Sequence, residues 1–262
     1  GEDKEAGVGL AREEAVRMYL SDDEPVRFFT KEIDEEPDDL EFDPELLETM
    51  LFARTAFIDL LQNREYSLHD RLVNVLSATA EIQYALDDED TEEIKVIAEE
   101  LSRHEIIAER AESLKKALPE KSLENAENML LYLEHLDFIG DILPQQIKDA
   151  SRFVKKLSAP IKAQESGEYE KLAVYFVYRY FLKAVRDFDL LSKIKAMIVF
   201  VFAAEVINLS REQNAPARFE TVKELCKEIE YSGDNMDRIY DDSYLSDIFS
   251  DTSMLALLEW TL

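Results

Sequence analysis

Glycine and cysteine are both scarce in this sequence. Only three glycines follow Gly9, and the 262 residues include a single cysteine. So few glycines, together with abundant Leu, Ala, Glu and Lys, argue for long helices and against a β fold or a glycine-rich phosphate loop. One cysteine excludes an intrachain disulfide framework and is typical of a protein from a reducing cytoplasm, where we expect this protein to be located.

Long apolar runs and net positive charge are also lacking. The longest apolar run, Ala196–Ala204, falls well short of the roughly 20 residues that span a bilayer, so we expect no membrane anchor. The formal net charge is −28. A surface this acidic repels phosphate backbones, so nucleic acid is a poor partner, whereas basic, lysine-bearing proteins are weakly attracted. The simpler interpretation is that the charge serves solubility.

The pattern predicts an all-α fold, an irregular multi-helix bundle of about ten helices without a β-sheet. Residues 1–43 are predicted to form an acidic, partly disordered N-terminal arm with a short helix, and residues 44–262 an all-helical globular domain. Predicted helices cover 44–62, 68–86, 90–117, 122–138, 145–163, 168–188, 190–209, 219–230 and 234–241, with breaks at Gly140 and Pro144 and a loop over 214–216. The helices over 168–188 and 190–209 are the most apolar, so we expect them to be central, antiparallel neighbours. The opening Gly1, without a methionine, suggests processing.

Arginines cluster at the elbow between the first two helices. Arg54 lies on the apolar face of the first helix, and a buried guanidinium must find an anionic or carbonyl partner. Ser67 is predicted to cap the second helix, with Arg64 and Arg71 on either side of it.

A second group of charges lies on one face of the helix over 168–188. Arg179, Lys183 and Arg186 follow at i, i+4 and i+7 spacing. They indicate either an anion site, for a carboxylate such as that of a methionine-type cofactor, or an internal salt-bridge ladder to Glu205, Glu230 or Asp187; because buried charges normally pair, the ladder is the default. The same helix carries Tyr178 among several aromatic residues, which either hold a cation by cation–π attraction or belong to the core.

Polar residues also cluster between two later helices, at Glu230, Tyr231, Asp234 and Asn235. A carboxylate or tyrosinate here could accept a proton from an amine. The alternative is a helix cap at Asp234. Cys226 is expected to be a buried thiol, and the three histidines lack metal-ligand spacing, so we predict no metal site.

Three strings resemble the flagellin lysine N-methylase family, in that family's order. They are RTAFIDLLQNREYSLHDRL (54–72), YFVYRYFLKAVRD (175–187) and EYSGDN (230–235), the last where the family more usually has Glu-His-Ser. The resemblance implies a protein lysine N-methyltransferase, bacterial and dependent on S-adenosylmethionine, whose substrate is a lysine-bearing protein such as flagellin. On this basis we assign catalytic roles to Tyr178, Glu230 and Tyr231, and cofactor-binding roles to a set of charged and polar residues: Arg54, Arg64, Arg71, Arg179, Lys183, Arg186 and Asn235.

The cysteine content departs from that family. Its members typically carry a cysteine-rich N-terminal portion thought to hold an iron–sulfur cluster, whereas Leu10–Arg17 resembles the segment after that portion with Arg12 where a cysteine often stands. We therefore expect either a helical fragment or a cluster-less relative, inactive by itself. The alternative function is a non-catalytic helical protein-binding module that lacks the iron–sulfur half.

Overall fold

The computed structural model of the chain describes residues 43–117, 122–162, 167–211 and 215–261. Its helices are α1 (Pro44–Gln62), α2 (Leu68–Asp87), α3 (Thr91–Glu100), α4 (His104–Ala117), α5 (Ser122–Glu134), α6 (Ile142–Val154), α7 (Gly167–Tyr180), α8 (Ala184–Asp187), α9 (Leu191–Arg211), α10 (Ala215–Leu225), α11 (Gly233–Leu245) and α12 (Asp251–Leu258). Short 3₁₀ turns cover Phe181–Lys183 and Asp247–Phe249, and a π-helical turn covers Cys226–Glu230. No strand occurs in these residues, which confirms the all-α prediction. The predicted N-terminal arm, apart from its last residue, lies outside the described residues.

Three helices begin at the caps that the sequence indicates. The side chain of Asp43 accepts a hydrogen bond from the backbone N–H of Glu45 at 2.9 Å, with Pro44 at the first helical position. Ser67 caps α2 in the same way, and Asp90 caps α3. Each oxygen satisfies a backbone donor that has no partner within the helix.

The prediction of one long helix over 90–117 is wrong, because this segment forms two helices. α3 ends at Glu100 and α4 begins at His104. The hydroxyl of Ser102 donates to the carbonyl of Glu99 at 2.7 Å. Serine side chains that bond to nearby carbonyls compete with the helical ladder, which accounts for the break.

Proline positions account for two further corrections. The predicted break at Pro144 is wrong, since this residue lies in the first turn of α6, where its missing N–H leaves no hydrogen bond unmade. The predicted loop at 214–216 is also wrong for Ala215 and Pro216, which lie in the first turn of α10. α5 ends at Glu134, earlier than predicted.

α9 forms the centre of the molecule. It is buried continuously from Ser192 to Asn208 and packs against α2, α6, α7, α10, α11 and α12. The prediction that the helix before it is its neighbour is confirmed, but that helix is α7 followed by a 3₁₀ turn and α8, rather than one helix to residue 188. No helix in the described ranges is long and apolar enough to cross a membrane.

A side chain from α2 fixes the start of α9. The amide oxygen of Gln83 accepts hydrogen bonds from the backbone N–H groups of Leu190 (2.8 Å) and Leu191 (3.0 Å). Its amide nitrogen donates to the carbonyl of Phe188 at 2.8 Å. Gln83 therefore supplies partners from another helix, in addition to the local residue Asp189, whose Oδ1 accepts from the N–H of Ser192 at 3.0 Å.

Candidate functional site: a buried carboxylate on the arginine- and tyrosine-rich face of α7

The elbow arginines converge on one carboxylate of α7. The guanidinium of Arg71 is 1% exposed and donates to Glu170 Oε2 at 2.7 Å. It also donates to the carbonyls of Leu61, at the end of α1, and Ser67. Arg64, whose side chain is 48% exposed, donates to both oxygens of Glu170 at 3.1 and 3.2 Å. These bonds join the α1–α2 elbow to α7, so the cluster holds three helices together.

Arg54 lies in a different environment from the one predicted. Its guanidinium is half-buried and stacks on the ring of Tyr178, 5.1 Å from the centroid. The prediction of a carboxylate or carbonyl partner is wrong within the described chain, because the buried Nε has no hydrogen-bond partner there. Burial lowers the pKa of Arg54, and Tyr178 opposes that shift.

Glu230 is the centre of a second cluster, at the end of the π-helical turn. Its side chain is fully buried, at 0% exposure, and its Oε1 accepts hydrogen bonds from the hydroxyls of Tyr175 (2.6 Å) and Tyr180 (2.7 Å). The Nε of Arg179 lies 3.1 Å from the same oxygen. Oε2 is buried and has no hydrogen-bond partner among the described residues. Isolated π-helical turns frequently occur at functional sites.

The electrostatics of this cluster assign a protonation state to each tyrosine. Burial, and then the negative charge of Glu230, raises the pKa of both Tyr175 and Tyr180. The pKa of Arg179 is also raised: burial opposes the shift, but the two tyrosines and Glu230 outweigh it. The tyrosines therefore remain neutral donors. Within this cluster Glu230 is the hydrogen-bond acceptor, and Tyr175 and Tyr180 are the donors.

The ladder predicted for the cations of α7 and α8 is confirmed at one position. Arg179 pairs with Glu230, as expected. Lys183 is exposed and its Nζ lies over the ring of Tyr180, 4.8 Å from the centroid, while Arg186 is exposed without an ion pair in the described part of the chain. Glu205 belongs elsewhere: it is buried in α9 and accepts a hydrogen bond from Thr261 at 2.8 Å.

The amide of Asn235 is occupied by protein groups. Its Nδ2 donates to the carbonyls of Asp137 (2.7 Å) and Glu228 (3.1 Å), and its Oδ1 accepts from the N–H of Asp137 at 3.0 Å. Asn235 therefore ties the loop after α5 to the π-helical turn. Tyr231 is 48% exposed. The helix predicted to start at Asp234 starts one residue earlier and is capped by Ser232.

Sequence reasoning missed some of the residues that complete these clusters. Glu170 lies among other charged residues at the start of α7, between Glu168 and Lys171, so the sequence around it does not single it out as the partner of Arg71. The partnership of Tyr175 and Tyr180 with Glu230 has no local signal, because 50 residues or more separate them. Cys226 is half-buried, not buried as predicted. No group of His, Cys, Asp and Glu suited to a metal ion is found in the part of the chain that the structure describes.

The fold and these clusters define an all-α protein with a buried carboxylate held by tyrosines and arginine. A family model described as the FliB lysine N-methylase C-terminal domain matches residues 54–257. This range contains all three strings noted above, and the chain belongs to this family. No match was found among curated proteins or among solved structures.

Proposed function

We propose that this chain forms the cofactor- and lysine-binding part of an S-adenosylmethionine-dependent N-methylase that acts on flagellin. The observation that carries the proposal is Glu230, a fully buried carboxylate. One of its oxygens is held by two tyrosine hydroxyls and an ion pair with Arg179, and the other is without a partner among the described residues. An unpaired buried acceptor is energetically costly, and such groups occur where a ligand completes the site.

The chemistry of lysine methylation suits this arrangement. The lysine ammonium must lose a proton before its nitrogen can attack a methyl group, and Glu230 Oε2 is an acceptor for that proton. Tyr175 and Tyr180 keep the carboxylate in place through Oε1. Cations of the chain itself already lie over their rings, with Arg179 facing both and Lys183 facing Tyr180. Arg179 places a positive charge beside the same oxygen, with its Nε 3.1 Å from Oε1.

The cofactor would be recognised by a different residue. S-adenosylmethionine supplies an activated methyl group, and it carries a carboxylate on its amino-acid end. Arg54 fits that carboxylate, because its guanidinium is half-buried and its Nε is without a hydrogen-bond partner in the described residues. Among the other proposed cofactor residues, Lys183 and Arg186 are exposed and could extend this site.

The remaining residues proposed to bind the cofactor are better suited to holding neighbouring protein groups in position. Arg71 and Arg179 pair with protein carboxylates, and Asn235 bonds to backbone groups on both sides. Arg64 pairs with Glu170 but keeps part of its side chain exposed. An iron–sulfur cluster does not fit this chain by itself, since one cysteine cannot supply the thiolates that a cluster needs.

Calorimetric titration of the protein with S-adenosylmethionine tests the proposal. Arg54→Met should weaken binding at least tenfold with little change in melting temperature, because no carboxylate of the described residues loses its partner. The matched control is Arg103→Met, at an exposed arginine that faces Glu99 at 3.7 Å, and it should bind like the wild type. Wild-type-like binding by Arg54→Met, or no binding by the wild type, would contradict the proposal.

A second candidate is the non-catalytic helical binding module. The observation that favours it is the internal pairing of Arg71 and Arg179, which leaves these two cations with structural roles already. A protein that binds flagellin but not S-adenosylmethionine would support this alternative over the methylase.

A further inference from the structure

Apolar side chains of α11 and of the turn before α9 form an exposed surface, here called the aromatic surface. Its members are Phe188, Tyr244 and Leu245, which are 44%, 56% and 82% exposed. The hydroxyl of Tyr244 donates to Asp189 Oδ1 at 2.7 Å, next to Phe188 in the chain. Scattered apolar side chains on a surface need no explanation, but adjacent ones mark interaction sites.

Carboxylates border this surface. Gln83 donates both to the carbonyl of Phe188 and to Asp87 Oδ1 (2.9 Å), which places the end of α2 beside the aromatic surface. Residues 87–90 are four consecutive exposed acids, and Asp187 is exposed on the other side of Phe188. The cation Lys193 pairs with Asp187 and Asp189, but its side chain is only 2% exposed, so it does not present its charge to a partner. Arg186 is the exposed cation nearest in sequence.

The backbone conformation of Phe188 suggests that its ring contributes to binding and not only to the stability of the fold. Its φ of 53° is left-handed, and at the end of a helix this conformation is normally taken by glycine. A glycine would relieve the strain, while the half-exposed ring adds only part of its area to the core. Glu89, in the acidic run 87–90 at the end of α2, is the other non-glycine residue with positive φ in the described chain.

Tyr240 lies beside this surface. Its half-buried ring lies under Lys193, 5.0 Å from Nζ to the centroid. Burial raises the pKa of Tyr240, and the charges of Asp189, Asp187 and Glu230 raise it further.

We infer that the aromatic surface and its acidic border form the docking site for the protein substrate, as a segment in which lysines alternate with apolar residues. This inference rests on the proposed function. Charge complementarity favours such a partner, since the carboxylates attract lysine ammonium groups while the rings and Leu245 cover apolar side chains. A second copy of this chain is disfavoured, because it also carries a net charge of −28.

Fluorescence anisotropy with synthetic peptides tests the docking site without any methylation. The probe is a fluorescein-labelled 14-residue peptide of lysines alternating with leucines and alanines, and intact flagellin is a second ligand measured by biolayer interferometry. Phe188→Ala and Leu245→Ser should each weaken binding of both ligands at least fivefold. The matched control is Phe52→Ala, at a residue that is 46% exposed on α1, and it should bind like the wild type.

The acidic border has its own test. Asp87→Asn keeps a side-chain oxygen that accepts from Gln83 but removes a negative charge. Peptide binding should therefore weaken and depend less on salt concentration. The control Glu92→Gln, at a 79%-exposed side chain of α3, should change neither the affinity nor its salt dependence. A peptide with glutamate in place of lysine should not bind. Unchanged binding by Phe188→Ala and Leu245→Ser, or equal effects of Phe52→Ala, would overturn the inference. If the peptide and flagellin bind as expected while S-adenosylmethionine does not bind, the docking site is supported and the proposed methylase function is contradicted.

Discussion

Removal of the Glu170 carboxylate should destabilise the protein more than any change at its exposed ion pairs. Glu170→Ala leaves the guanidinium of Arg71 buried, and that group is 1% exposed. Removing one partner of a buried ion pair costs about 3–5 kcal/mol. Because Arg71 keeps its hydrogen bonds to the carbonyls of Leu61 and Ser67, we expect a loss of about 3 kcal/mol, at the lower end of that range.

Two further variants separate the effect of losing the charge from the effect of solvent exposure on stability. Glu170→Gln retains an acceptor and should lose less stability than Glu170→Ala. Arg64→Ala removes a partner of the same carboxylate, but its side chain is 48% exposed, so the loss should stay below about 1 kcal/mol.

Urea unfolding followed by circular dichroism measures these losses, provided that the dependence on urea concentration is the same for all variants. The matched control is Glu92→Ala, in an exposed pair with Lys95, and it should stay within about 0.5 kcal/mol of the wild type. A loss below about 1 kcal/mol for Glu170→Ala would refute the view that this carboxylate holds the elbow.

Three further predictions follow from individual side chains. Arg54→Met should cost less than about 1 kcal/mol in urea unfolding, because it strands no carboxylate in the described part of the chain; a loss near 3 kcal/mol would reveal a buried anionic partner. Burial raises the pKa of Glu205 to about 8, against about 4.3 in an unfolded chain. The folded protein thus retains a proton that the unfolded chain has lost, so stability falls as pH rises between these values, by up to about 1.4 kcal/mol per pH unit. Glu205→Gln should flatten this dependence in unfolding curves from pH 5 to 8, and an unchanged slope would contradict the assignment. Incubation of this chain alone with S-adenosylmethionine and flagellin should yield no methyl-lysine by mass spectrometry, since one cysteine cannot hold a cluster; robust turnover would show that the cluster is dispensable.

Local signals in the sequence were sufficient for the fold class and for several helix boundaries. Asp43 followed by Pro44 marks the start of α1, and the apolar run after Lys195 marks the central helix. The break between α3 and α4 was not predicted, because it depends on how one serine hydroxyl competes for a backbone carbonyl. The turn between α8 and α9 has no local signal either, since Phe188 and Leu190 are both bound by Gln83, more than 100 residues earlier.

The sequence predicted which types of residue form the candidate site. It predicted less well which of these residues contact one another. A cation among apolar residues must have a partner, and this argument found Arg179 with Glu230 correctly. The same argument was wrong for Arg54, because an aromatic face of Tyr178 takes the place of a counter-ion. Pairings between helices depend on the relative rotation of those helices, which the sequence of one helix does not specify.

Photo-crosslinking tests the central claim most directly, that this chain binds S-adenosylmethionine beside the tyrosines of α7. The protein is irradiated with S-adenosylmethionine radiolabelled in its methyl group, digested, and the labelled peptides are identified by mass spectrometry. The account predicts label in peptides that contain Arg54, residues 175–187 or residues 226–231, and its loss when unlabelled S-adenosylhomocysteine competes. Label confined to other segments, such as α3 and α4, or label that the competitor does not displace, would contradict the account.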